Sequence, residues 1–397
     1  MFTLFHIISN PKIQGDIIVN YPVGIRSLAL SLPSIKRTND YYTNKYPEAI
    51  AQSEQKSLAR LFSLAGSTPS NEFDSEMLPY IKDPFRGTVH RWVLAPDESS
   101  LMLQERAARE ALDAAKLTLK EIDLMLVASV WPEQIGFGDA AFLAGKLGLE
   151  GAAWNLDAAC GVTPVALQTA FALVRAGEYR NVLVVISCAY SRFFDEDDTL
   201  SWFMSDGAGA CVVSSLAPNQ GILGTKTIHT AALCNSFFAK LTEDDQGNPH
   251  IHMRMGKGAN KAIRETAVGQ LRTCCEGALA AANVKLEEID FFIFNTSTAW
   301  SASFCTRVLG IDPERTINLY SEYANIGPVI TIANLYYAAQ LGKIHENDLV
   351  LIYGLGAAGA ASASVMRWGD VALGSVPNLH QPEIILKSSL DRSLVVC

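Results

Sequence analysis

The chain predicts an α/β protein built from two similar halves, and three observations carry that prediction. Residues 111–129, ALDAAKLTLKEIDLMLVAS, read like residues 278–296, ALAAANVKLEEIDFFIFNT, at an offset of 167 residues. Each stretch is an Ala-rich helical segment, a turn of L-x-E-I-D character and an apolar strand. The same offset carries Val182-Leu183-Val184-Val185 onto Leu349-Val350-Leu351-Ile352. Such continuous apolar runs suit strands covered on both faces. In each half an apolar strand then leads through a small-residue turn into a helix, as in WNLDAACGVTP followed by ALQTAFALVRAGEY. Repetition on this scale argues for two units packed against each other.

The boundaries fall at 22–217 and 218–397. Within the first half, residues 34–100 show little periodicity and contain Pro69, Pro79 and Pro84, which predicts an irregular insertion or lid wrapped on that half. Residues 229–260, with His229, His250 and His252, form a second irregular excursion. The offset sets Cys160 opposite Gly327, so Cys160 and Asn325 lie on equivalent strand-to-helix loops that face one another if the halves pack symmetrically.

Composition bounds the function. Of 397 residues, 49% are hydrophobic and 18% charged, enough for a large core and against disorder. A net charge of -9 opposes nucleic-acid binding, which needs a basic face. The 8 cysteines show neither CxxC pairs nor metal-ligand spacing with histidine, so no metal is expected. Cys188, Cys211, Cys274, Cys275 and Cys305 lie in apolar or small-residue runs and read as free thiols of a reducing compartment. MFTLFHIISNPKIQGD lacks the positive start of a signal peptide, and no segment reaches the length of a membrane span. The expectation is a soluble cytoplasmic protein with no membrane partner.

Cys160 lies in D-A-A-C-G-V-T-P, at the start of a helix. There the macrodipole and unpaired N–H groups lower a thiol pKa and favour a nucleophile. A core cysteine tucked under the helix fits the same local sequence. The run Y-G-L-G-A-A-G-A-A-S from Tyr353 follows a strand and can bring N–H donors close to a developing oxyanion. It lacks the Lys-Ser/Thr of a phosphate-binding loop, and as a dinucleotide fingerprint it is incomplete. The segment S-D-G-A-G-A-C-V-V from Ser205 reads first as a tight turn entering a buried strand.

Taken together, W-N-L-D-A-A-C-G-V, M-S-D-G-A-G-A, E-Y-A-N-I-G-P and G-L-G-A-A-G resemble the motifs of the β-ketoacyl synthase III branch of the thiolase superfamily, over roughly residues 22 to 368. The resemblance implies a thiolase fold of five αβαβα layers, a homodimer, and acyl donors carried on coenzyme A or acyl carrier protein, with no separate cofactor. It makes Cys160 the acyl-carrying nucleophile, Asn325 the active-site asparagine, and Gly354 and Gly356 the oxyanion loop. The family's histidine falls at Asn295, which can donate hydrogen bonds but cannot act as a base or become cationic.

The expectation is therefore an acyltransferase that loads Cys160 from a thioester and passes the acyl group to an acceptor in fatty-acid-like, polyketide or specialised metabolism. His229, His250 or His252 is a candidate base for an alcohol acceptor. The alternatives are decarboxylative condensation using Asn295 and Asn325, and a non-catalytic partner of a ketosynthase pair. A degradative thiolase would carry a second cysteine where this chain has Gly356 and Ala357.

Arg254, Lys257, Lys261, Arg264 and Arg272 form a basic cluster that suits an acidic carrier protein or, equally, a solvated helix face. By the same resemblance, Arg86 and Arg91 contact the coenzyme A or pantetheine end. Phe137, Trp202, Phe203, Phe237, Phe238 and Trp300 are candidate tunnel residues or ordinary core.

Overall fold

A computed structural model describes residues 22–64, 71–243, 247–357 and 359–377. The N-terminal stretch read for a signal sequence, Pro69, His6 and His380 lie outside the described residues.

In chain order the first half supplies β1 (Val23–Ser31), β2 (Ile35–Thr38), α1 (Asn39–Lys45), α2 (Pro47–Leu64), α3 (Glu72–Met77) and β3 (His90–Val93). It continues with α4 (Ser100–Ala115), β4 (Leu124–Val130), α5 (Ala140–Leu147), β5 (Ala152–Asn155), α6 (Val162–Arg175), β6 (Val182–Ala189) and β7 (Asp206–Ser215). The second half opens with β8 (Gly221–His229), β9 (Phe237–Glu243), β10 (Pro249–Met255), α7 (Ala259–Ala282) and β11 (Phe291–Phe294). After these come α8 (Ser301–Leu309), α9 (Tyr320–Tyr323), α10 (Val329–Gln340), β12 (Leu349–Leu355), β13 (Ala360–Arg367) and β14 (Ala372–Leu373).

Two sheets form the frame, one of order β14-β1-β7-β6-β4-β5 and one of order β11-β12-β13-β8. Parallel pairing joins β5, β4 and β6, and joins β11 to β12; the remaining pairs of these two sheets are antiparallel except β1 with β14. α4 and α5 cover the outer face of the first sheet, and α7 and α8 that of the second. α6 and α10 lie between the sheets and touch both. The layers therefore run αβαβα.

Position in this stack explains composition. VLVVISCA of β6 is buried at every residue because helices cover both its faces. In α10 the ten residues from Val329 to Ala338 are all buried, polar Asn334 included, because the helix has a sheet on either side. Asn334 offsets part of the cost of that burial by donating from Nδ2 to Phe294 O at 2.9 Å and Thr296 Oγ1 at 3.0 Å, while its Oδ1 has no hydrogen-bond partner. α4, on the outside, is amphipathic and ends on Lys116 in the left-handed conformation.

The repeat is visible in side-chain contacts. Asp123 caps the entry to β6 by accepting from Arg180 N at 2.7 Å and Asn181 N at 3.2 Å. Asp290, at the same place in the second half, accepts from Leu349 N at 2.8 Å at the entry to β12. The I-D dipeptide of each copy thus registers a neighbouring strand.

The two stretches expected to be irregular carry regular structure. Residues 34–100 hold the antiparallel β2–β3 pair and three helices, and their Tyr42, Ile50 and Phe85 form a buried cluster with Trp202. This insertion spans both halves instead of wrapping on the first alone: Arg264 pairs with Asp74 at 3.2 Å, and Val89 N donates to Ser321 O at 2.9 Å. Residues 229–260 form the β9–β10 hairpin, with His252 opposite Lys240. Long-range pairing in the first case and a local hairpin in the second override weak periodicity.

Candidate active site

Cys160 sits on a turn between β5 and α6, one residue before Gly161, which precedes the first turn of α6. Ala159 holds a left-handed backbone with φ of 51°, an unfavourable conformation for a residue with a side chain. The turn aims the sulfur at Tyr190, whose hydroxyl lies 3.3 Å away just past the end of β6.

The expectation of a lowered thiol pKa fails. Burial pushes the Cys160 thiol up, and the Tyr190 hydrogen bond and the Cys160 N–H offset this only in part, while Asp157 adds to the rise. The helix start helps less than the dry surroundings cost. Tyr190 is itself buried and its pKa is raised well above the ordinary phenol value, chiefly by burial. It is therefore a neutral donor to a thiolate.

The equivalent loop of the second half closes the other side. Thr163 Oγ1 donates to Pro328 O at 2.8 Å, linking the starts of α6 and α10. Gly327 has φ of 57°, and a Cβ there would come within 3.0 Å of Cys188 Sγ and 3.4 Å of the Tyr190 oxygen. Asn325 Oδ1 accepts from Gly327 N at 2.9 Å, which leaves its Nδ2 as the side-chain donor for other partners.

Asn295 follows β11 and binds both loops: its Nδ2 donates to Cys160 O at 3.3 Å and to Gly327 O at 3.2 Å. Both acceptors are carbonyls, which fixes the orientation of the amide. Cys160, Asn295 and Asn325 therefore meet in one place, all only partly exposed.

The glycine loop also arrives there, with a different task from the one expected. Gly354 lies within β12, where a Cβ would press on Pro164 at 2.9 Å. Gly356 N donates to Ala360 O at 2.9 Å and so does not supply an oxyanion donor. A Cβ on Gly356 would stand 2.2 Å from Ala158 O. These glycines permit close approach to the nucleophile turn.

Other sequence candidates lie apart from this centre. Arg91 is fully buried and donates from Nε to Trp202 O at 2.6 Å, with its guanidinium 5.0 Å from the ring centres of Tyr42 and Phe85. Arg86 donates to the carbonyls of Tyr80 and Ile81 and to Ser57 Oγ. Both arginines brace the insertion, and buried Arg91 keeps its Nη2 without a hydrogen-bond partner.

Arg254, on β10 ahead of α7, pairs with Asp198 at 3.4 Å, and Lys261 lies 3.7 Å from Glu265. Arg264 pairs with Asp74, while Lys257 is exposed and Arg272 donates to Val308 O at 3.4 Å. The aromatic candidates are dispersed: Trp202 packs against Tyr42 and Phe85, Trp300 against Phe73, and Phe137 is 84% exposed. His229 is exposed at the end of β8.

Tyr190 escaped the sequence reading. It lies in CAYSRFF with no motif around it. The only sequence signal is its place at the end of β6, the strand following the nucleophile helix.

The five-layer stack with paired strand-to-helix loops at its centre defines a thiolase-fold protein. Residues 154–231 match the family model for 3-oxoacyl-[acyl-carrier-protein] synthase III, and residues 279–368 match its C-terminal model. The chain is 31% identical over 324 residues to the β-ketoacyl-[acyl-carrier-protein] synthase III of Microcystis aeruginosa, covering 77% of this chain and 96% of that relative. It belongs to the β-ketoacyl synthase III family, within the thiolase superfamily. The crystal structure of 3-oxoacyl-(acyl carrier protein) synthase III from Pseudomonas aeruginosa PAO1 superposes with TM-score 0.71 at 19% identity, covering 88% of this chain and 98% of that one. The priming β-ketosynthase of the R1128 polyketide biosynthetic pathway gives 0.72 at 19%, covering 88% and 97%. Among the described residues no helix is long and apolar enough to cross a membrane.

Proposed function

We propose that this ketosynthase-family enzyme takes an acyl group from an acyl-coenzyme A or acyl-carrier-protein thioester onto Cys160 and passes it to an acceptor other than a malonyl unit. The observation that carries the reading is the engagement of Asn295. Both its N–H groups are directed at Cys160 O and Gly327 O, so it holds the two loops and does not aim at a substrate oxygen. Decarboxylative condensation needs donors that stabilise an enolate, and Asn325 Nδ2 alone remains from the expected pair. The names of the relatives, which are β-ketoacyl-[acyl-carrier-protein] synthases, support a thioester donor.

Loading is a thiol-for-thiol exchange. The Cys160 sulfur attacks the thioester carbonyl, the new C–S bond forms at Sγ, and the donor C–S bond breaks. The departing thiolate takes up the proton that Cys160 gives up, so the exchange is proton-neutral. Tyr190 stabilises the attacking thiolate by donating its hydroxyl hydrogen bond.

A homodimer belongs to the same reading. β5 is an edge strand of the first sheet with Trp154 exposed, and Asn155 Nδ2 donates to the carbonyl of the nearby exposed Phe137. An apolar sheet edge of this kind is suited to pairing with a second copy.

Intact-protein mass spectrometry of wild type and Cys160→Ala, after incubation with acyl-thioesters and then a malonyl-thioester chase, tests the proposal. An adduct on wild type alone that malonyl does not remove is the expected result. Discharge with release of carbon dioxide and a β-keto product would establish condensation instead. Absence of any adduct would favour a non-catalytic partner subunit.

A further inference from the structure

The β9–β10 hairpin docks on the loop that leaves β6. Met253 N donates to Phe193 O at 3.0 Å, and Trp131 stacks on Phe193 with ring centres 4.3 Å apart. Alternation along β10 sets His250, His252 and Arg254 on one face, toward the acidic stretch Asp195-Glu196-Asp197-Asp198. Arg254 answers Asp198, and Glu196 is taken by Arg37, Lys45, Tyr41 and Tyr46. Asp195 is left facing the two imidazoles.

The two rings lie 4.0 Å apart between centres. His252 Nδ1 is 3.1 Å from Asp195 Oδ2, and His250 Nε2 is 3.8 Å from Asp195 Oδ1. Two features distinguish this group from an ordinary ion pair. His252 is 8% exposed, yet its Nδ1 has no hydrogen-bond partner, so at 3.1 Å the angle to Asp195 is wrong for one. Nitrogen and oxygen atoms from three residues also converge within 4.8 Å of one another, the one such His, Cys, Asp or Glu group among the described residues.

We infer that His250, His252 and Asp195 form a binding site for a divalent transition metal of the zinc class, with two imidazole nitrogens and one carboxylate as ligands. Metal–ligand bonds of about 2.0–2.2 Å in a tetrahedral arrangement place ligand atoms roughly 3.3 Å apart, and His252 Nδ1 stands 3.1 Å from one Asp195 oxygen while His250 Nε2 stands 3.8 Å from the other. Imidazole with carboxylate suits zinc over calcium or magnesium. Three protein ligands leave a fourth position for water or a small ligand. The ion would clamp β10 to the segment that begins at Tyr190, the partner of the nucleophile. The His-x-His spacing is present in the sequence, but the third ligand lies 55 residues upstream of His250, beyond any local motif.

Untagged protein carrying Cys160→Ala, Cys234→Ser and Cys397→Ser, which removes the two thiols that are not buried among the described residues and the one outside them, is titrated with cobalt(II), and zinc is competed against a chromophoric chelator. The expected result is one cobalt per chain with ligand-field absorption, and zinc affinity reduced 100-fold or more by His250→Gln and by Asp195→Asn. Both residues are partly exposed, so folding is retained, which melting curves without metal check. Zinc should raise the Tm of the parent and leave that of both variants unmoved. Loss of less than tenfold in either variant, or no cobalt spectrum in the parent, overturns the site.

Discussion

The Cys160 sulfur and the Tyr190 hydroxyl stand 3.3 Å apart, and Tyr190 is the strongest influence drawing the thiol pKa back down against burial. A hydrogen bond to a charged group contributes about 1.5–3 kcal/mol, equivalent to about 1–2 pH units. Because the Cys160 pKa is raised, its reactivity increases with pH across the alkaline range. Tyr190→Phe removes a donor to the thiolate and should move that rise to still higher pH. Alkylation of Cys160 by iodoacetamide across pH gives the profile, with a rate at neutral pH about tenfold below wild type.

Gly356→Ala places a methyl 2.2 Å from Ala158 O, a backbone atom that cannot move without shifting the nucleophile turn. Overpacking of this kind costs about 1–3 kcal/mol. Acylation of Cys160 should fall more than stability does, as followed by adduct formation beside chemical denaturation.

Arg91→Ala leaves a cavity among Tyr42, Phe85 and Trp202 and strips the Trp202 carbonyl of its donor. A loss of about 2–4 kcal/mol is expected. If the role is structural, folded enzyme retains the wild-type KM for an acyl-coenzyme A donor, a value that a ligand-contact role would raise.

Of the basic cluster, Lys257 and Lys261 keep the most exposed charge, since Arg254 and Arg264 are half-buried in ion pairs. Lys257→Glu with Lys261→Glu should raise KM severalfold for donors on an acidic carrier protein, increasingly at low salt, and leave coenzyme A donors unchanged. Steady-state kinetics with the two donor types separates these outcomes.

The duplicated frame was legible because buried sheets demand continuous apolar strands, and the shared offset repeats them. The meeting of Cys160 with Asn325 followed from the same offset. The ordered insertion was not legible, since Tyr42, Phe85 and Trp202 are distant in sequence and become a cluster only around Arg91. Nor was Tyr190, or the use of Asn295 as a brace between loops. Neither carries a local pattern, because each acts through a contact across the fold. The raised thiol pKa is hidden in the sequence for a related reason: a helix start is visible there, whereas dryness depends on what the other half lays over it.

α6 and α10 have a further consequence. Each serves as inner cover for both sheets, so neither half retains a complete interior when separated from the other. A cut in the connection between β7 and β8 would therefore leave two fragments that stay together as a non-covalent complex. Amide hydrogens of β6 and β12, drawn from opposite halves, would then exchange only in the same global opening event.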